Sequence, residues 1–103
     1  MKSTLSTVAK ATEIRVGEMH VVDVAGTKVA LTRIDDRLHA FDDTCTHTGC
    51  SLADGEIDGT VVTCPCHGSR FDATTGAVLR GPARRPVRSH AVTTEGDDVL
   101  VEP

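Results

Sequence analysis

Residues 45–50 read CTHTGC and residues 64–69 read CPCHGS. These two boxes hold all four cysteines of the chain and two of its five histidines. Any fold that uses them together must bring two separate loops to one place, and no other feature of the sequence constrains it as much. The even cysteine count permits two disulfides. That pairing gives His47 and His67 no role, and it suits a secreted chain better than one without a leader. A tetrahedral zinc site is a second possibility, with Cys45, His47, Cys64 and His67 as donors. It leaves Cys50 and Cys66 over, and Cys-x-His is tight beside the usual Cys-x2–4-Cys knuckle. An iron–sulfur centre with both thiolate and imidazole ligands is the third.

Around the boxes the chain reads as short strands. No stretch sustains a helical period beyond two turns, whereas alternation and β-branched residues recur throughout. Strands are predicted over 18–24, 27–34, 37–41, 60–64, 69–72, 77–79, 87–93 and 99–102, with a fringe strand near 6–10. Ala25-Gly26, Asp35-Asp36 and Glu95-Gly96-Asp97 supply turns. Ser51 is placed to cap one helical turn over 51–54. Turn signals at this spacing predict an all-β protein, a small antiparallel sandwich or barrel. Both boxes fall between strands, where a sheet can hold a loop that carries chemistry. Gly49 and Gly68 suit loops whose backbone N–H groups approach something closely.

At 103 residues the chain is read as one domain, 1–103. A net charge of −4 and the lack of Trp and Tyr argue against nucleic acid as a partner. The N-terminal residues show no apolar h-region, no twin arginine and no membrane-length run, so a cytoplasmic, unanchored protein is expected. Arg80, Arg84, Arg85 and Arg88 cluster late in the chain, as either a solvated loop or a docking patch.

The pattern Cys45-x-His47, sixteen residues, Cys64-x-x-His67 resembles the signature of the Rieske [2Fe–2S] proteins. CTHTGC and CPCHGS are similar to the two boxes of the disulfide-bearing branch of that family. The resemblance is specific over 42–72 and continues more loosely through SLADGEIDG and GPARRP. The length and the ending GDDVLVEP resemble the Rieske ferredoxins of multicomponent ring-hydroxylating oxygenases.

The resemblance implies a Rieske-type fold with a two-loop cluster-binding subdomain at about 43–82. It implies that Cys45 and Cys64 bind one iron and that His47 and His67 bind the other. It also implies a disulfide between Cys50 and Cys66, shielded from reductants by burial behind the cluster. Ser69 stands where a family serine donates to a bridging sulfide. Phe71 stands where high-potential members carry a tyrosine, so that second donor is missing. Pro82, in GPARRP, matches a loop that covers the cluster. His20, His39 and His90 are expected to be surface or partly buried side chains. No flavin or nicotinamide fingerprint is present, and the chain is too short for a second, mononuclear-iron domain. The expectation is a one-electron carrier, not an enzyme, between a flavin-dependent reductase and a terminal oxygenase. Its alternatives are an electron-transfer subunit of a larger respiratory-type or molybdenum complex, and a redox sensor.

Overall fold

The computed structural model describes residues 7–47 and 49–103. Among these, three antiparallel sheets are built from eleven strands, with no α-helix. The first joins β1 (Thr7–Lys10), β11 (Asp98–Val101) and β10 (Val92–Glu95) in that order. The second runs β2 (Met19–Val24), β3 (Thr27–Ile34), β4 (Arg37–Asp42), β9 (Ser89–His90). The third runs β5 (Glu56–Asp58), β6 (Val61–Thr63), β7 (Arg70–Asp72), β8 (Val78–Arg80). The fold is therefore all-β, as the sequence predicts.

The second sheet is covered on both faces, which its register explains. Side chains alternate across a strand, so Leu31 and its partner Ala40 face one way while Ala30 and its partner Phe41 face the other. Val29, Leu31 and Ala40 pack with Ile14, Val24, Val99 and Val101 against the first sheet. Ala30 and Phe41 pack with Cys45, Leu52, Val62, Cys64, Phe71, Ala73, Ala83 and Val87. One sheet thus separates a base core from a head core, and the head core contains two of the cysteines.

Several strands differ from the sequence reading. The predicted strand over 87–93 is two strands in different sheets: β9 pairs with β4, β10 with β11, and the chain changes sheet between them. β5 was not predicted, because three residues between Gly55 and Gly59 read as turn. The Ser6–Lys10 fringe strand is β1 from Thr7 onward; Ser6 lies outside the described residues. A 3-10 turn at Ala11–Glu13 also went unpredicted. No described helix is long and apolar enough to cross a membrane.

Candidate metal centre

Three loops at the far end of the head make the site. The first follows β4 and carries Cys45, His47 and Cys50; the second joins β6 to β7 and carries Cys64, Cys66, His67 and Ser69; the third follows β8 and carries Pro82. The first two close in the same way. Cys45 N donates to Cys50 O (2.8 Å) and Gly49 N donates to Cys45 O (2.9 Å). Nineteen positions on, Cys64 N donates to Ser69 O (2.8 Å) and Gly68 N donates to Cys64 O (3.2 Å). Gly49 and Gly68 have φ of +80° and +77°, the left-handed region in which L side chains are strained. Their amides close the two loops.

This closure sorts the side chains by depth. Cys45 and Cys64 are buried, each 2% exposed, whereas His47 and His67 lie at the surface. The two imidazoles meet edge to face, ring centroids 5.1 Å apart. Cys50 and Cys66 form a disulfide with Cα atoms 6.5 Å apart, tying the two loops together. The sulfurs of Cys50, Cys64 and Cys66 lie within 4.8 Å of one another, so the bridge packs against the Cys64 thiol. Within the polypeptide Cys66 is exposed and Cys50 half-buried.

The third loop is pinned to both others. Ala83 N donates to Ser69 Oγ (2.9 Å), and Thr46 Oγ1 donates to Arg85 O (2.7 Å). Ser69 is fully buried, and the bond to Ala83 occupies a lone pair while leaving its hydroxyl proton to donate. Pro82 is exposed, after a cis Gly81–Pro82 peptide. Phe71 is fully buried in the head core.

Sequence reasoning missed Asp43 and Thr46. The Asp43 carboxylate is buried; it accepts from Ala53 N (2.8 Å) and from Ser51 Oγ (2.5 Å), fixing the exit of the first loop. Ser51 therefore donates to Asp43 and makes no cap bond to the 3-10 turn Leu52–Asp54, contrary to expectation. The signal was an Asp and a Ser flanking the first box. His20 and His39 are partly buried as expected, but His90 is buried, its Nε2 2.7 Å from Asp42 Oδ1 and its Nδ1 2.7 Å from Glu102 O.

The disulfide withdraws Cys50 and Cys66 from any ligand set. Two buried sulfurs and two surface imidazoles remain on matched loops, a donor set that fits a dinuclear iron centre with different ligands at its two metals. This is the arrangement of a Rieske-type protein. Residues 4–91 match the family model for the Rieske [2Fe-2S] domain, and the chain belongs to that family. It is 33% identical over 90 residues, 87% of this chain and 86% of the relative, to the ferredoxin component of the naphthalene 1,2-dioxygenase system of Pseudomonas aeruginosa. Its structure is similar to the ferredoxin of carbazole 1,9a-dioxygenase from Nocardioides aromaticivorans IC177, with a TM-score of 0.94, 33% identity and coverage of 98% and 99% of the two chains. A second similar structure is the ferredoxin in a complex of reduced oxygenase and oxidized ferredoxin of carbazole 1,9a-dioxygenase, at TM-score 0.89, 32% identity and coverage of 97% and 94%.

Proposed function

We propose that the chain is a one-electron carrier that receives electrons from a flavin-dependent reductase and delivers them to the terminal oxygenase of a ring-hydroxylating dioxygenase system. The observation that carries this reading is the depth asymmetry of the site, with the thiols buried and the imidazoles exposed. A [2Fe–2S] cluster held by such ligands exchanges one electron at a potential in the range of roughly −150 to +300 mV. In this reading Cys45 and Cys64 hold one iron, and His47 and His67 hold the other. Neutral imidazoles add no charge where two further thiolates would add two, so the site takes up an electron more readily than an all-cysteine one. The outer nitrogens of His47 and His67 face solvent and give a partner its nearest approach.

Ser69, held by Ala83 N, would direct its hydroxyl at a sulfide, favouring the more negative reduced state. Phe71 offers no such donor. The Cys50–Cys66 bridge and the glycine turns at Gly49 and Gly68 hold the ligand loops in register, and Pro82 would cover one side of the cluster. The whole chain acts as one domain, with the cluster-binding part at about 43–82, and the setting is cytoplasmic.

Reconstitution tests this directly. The protein is expected to contain two irons and two sulfides and, when reduced, to give an EPR spectrum of low average g. Mixed with reductase and oxygenase, it should cycle between its two states. Protein without acid-labile sulfide, or one that the reductase cannot reduce, defeats the reading.

A further inference from the structure

The charge of the loops around His47 and His67 runs opposite to that of the chain. Residues 44–51, 64–71 and 77–89 hold five of its eleven basic residues and none of its fifteen acids. All five are arginines and all are exposed: Arg70, Arg80, Arg84, Arg85 and Arg88. Two have local company. Arg70 borders a shallow pocket with Glu56 and Asp58, and Arg88 donates to Pro103 O (3.0 Å). Among the described residues no carboxylate pairs with Arg80, Arg84 or Arg85.

The backbone that carries Arg84 and Arg85 is also fixed in place. They follow Ala83, which is bonded to Ser69, and Arg85 O accepts from Thr46. Ser69 is two residues from His67, and Thr46 is next to His47. Two arginines thereby project from a loop whose backbone is bonded to both ligand loops. Adjacent cations repel each other, and nothing within the described chain offsets that. A guanidinium fork matches a carboxylate in shape as well as charge.

We propose that Arg84 and Arg85, flanked by Arg80, form a cationic collar that docks an Asp/Glu-lined surface of the terminal oxygenase around its electron-accepting site. The inference rests on the carrier reading. The anionic remainder of the chain is repelled by such a surface, so only a tip-first approach is favourable. The collar thus selects orientation as well as partner.

Two small oxidants read the field without any protein partner. If net charge governed, oxidation of the reduced protein by ferricyanide would speed up with added salt. The collar predicts that it slows, and that oxidation by cationic tris(phenanthroline)cobalt(III) speeds up. At low salt, R84E/R85E should slow the ferricyanide reaction about tenfold, R84K/R85K should not, and Arg37→Glu, at the opposite end of β4, should change little. The EPR signal of each reduced variant shows that it holds its cluster.

Equilibrium binding to the oxygenase is the second readout. Affinity should fall about tenfold in R84E/R85E at low salt, and the difference should close at high salt. Ferricyanide oxidation that accelerates with salt in the wild type overturns the collar, as does oxygenase binding indifferent to R84E/R85E. A wild type that binds no oxygenase at any salt concentration overturns the carrier reading and the docking assignment together.

Discussion

Phe71 is fully buried in the same core as Cys45 and Cys64, so a hydroxyl added to its ring has only that interior to enter. Phe71→Tyr is expected to raise the midpoint potential by giving a cysteine sulfur a donor, at a packing cost of about 1–3 kcal/mol. Voltammetry and a thermal melt read the two effects, and an unchanged potential would show that the hydroxyl does not reach the sulfur. Asp72, on the neighbouring position, carries a pH signature. The Thr74 hydroxyl and backbone N–H both donate to its carboxylate and hold its pKa below the ordinary 3.8. A carboxyl with a lowered folded pKa stabilises the fold above 3.8, and that stability is lost as pH falls through the folded value. Thr74→Val should lower the melting temperature at neutral pH and leave a shallower loss below pH 3.8; equal acid slopes in the two proteins would exclude this role. Ser69 was legible as a residue from the second box. Its anchor was not, because the donor is a main-chain amide fourteen residues away, and no side chain at Ala83 announces it.

The elements that hold the site are short, and their junctions carry the strain of fitting together. Gly76 closes the β7–β8 turn at φ +83°, with Val87 N donating to its carbonyl (2.9 Å). A Cβ there would lie 1.9 Å from Val87 O, a backbone atom that cannot swing aside. Gly76→Ala is therefore expected to destabilise the protein by roughly 2–4 kcal/mol and to displace the third loop, from which Val87 follows. A denaturant melt unchanged from wild type would show that the turn yields. The Cys50–Cys66 bridge spans 16 positions and joins the two ligand loops. Replacing both cysteines with serine should cost about 3 kcal/mol in the chain-entropy account. With Cys66 exposed, dithiothreitol should open the bridge in the folded protein. Thiol counting before and after reduction measures it, and two protected sulfurs under native conditions would contradict it. The strands β2, β3 and β4 were readable because turn pairs punctuate them. β5 was not, since its three residues are held by β6 and not by any propensity of their own. The sheet change between β9 and β10 is likewise set by partners far away in sequence.

At the scale of the molecule, the two cores divide the labour. The base core holds none of the four cysteines, whereas the head core contains Cys45 and Cys64. Chelating the iron should therefore loosen the head while the base stays closed. Hydrogen exchange is expected to find the amides of Val29 and Leu31 protected in both states, and those of the ligand loops protected only with metal bound. Uniform loss of protection would show one cooperative unit instead. The all-β class and the two boxes were visible in the sequence because each is a local pattern. The three-layer division was hidden, because the buried run Val29–Ala30–Leu31 does not say which neighbour covers which face. β4 and β9 lie side by side, and Asp42 N donates to Arg88 O (2.8 Å) just where the head departs and returns. An excursion whose two ends already touch costs the strands that close it little more as it lengthens. The lower half is in effect a socket, and a head of different redox tuning can be exchanged through that one pair of strands provided it keeps an apolar underside for Ala30 and Phe41.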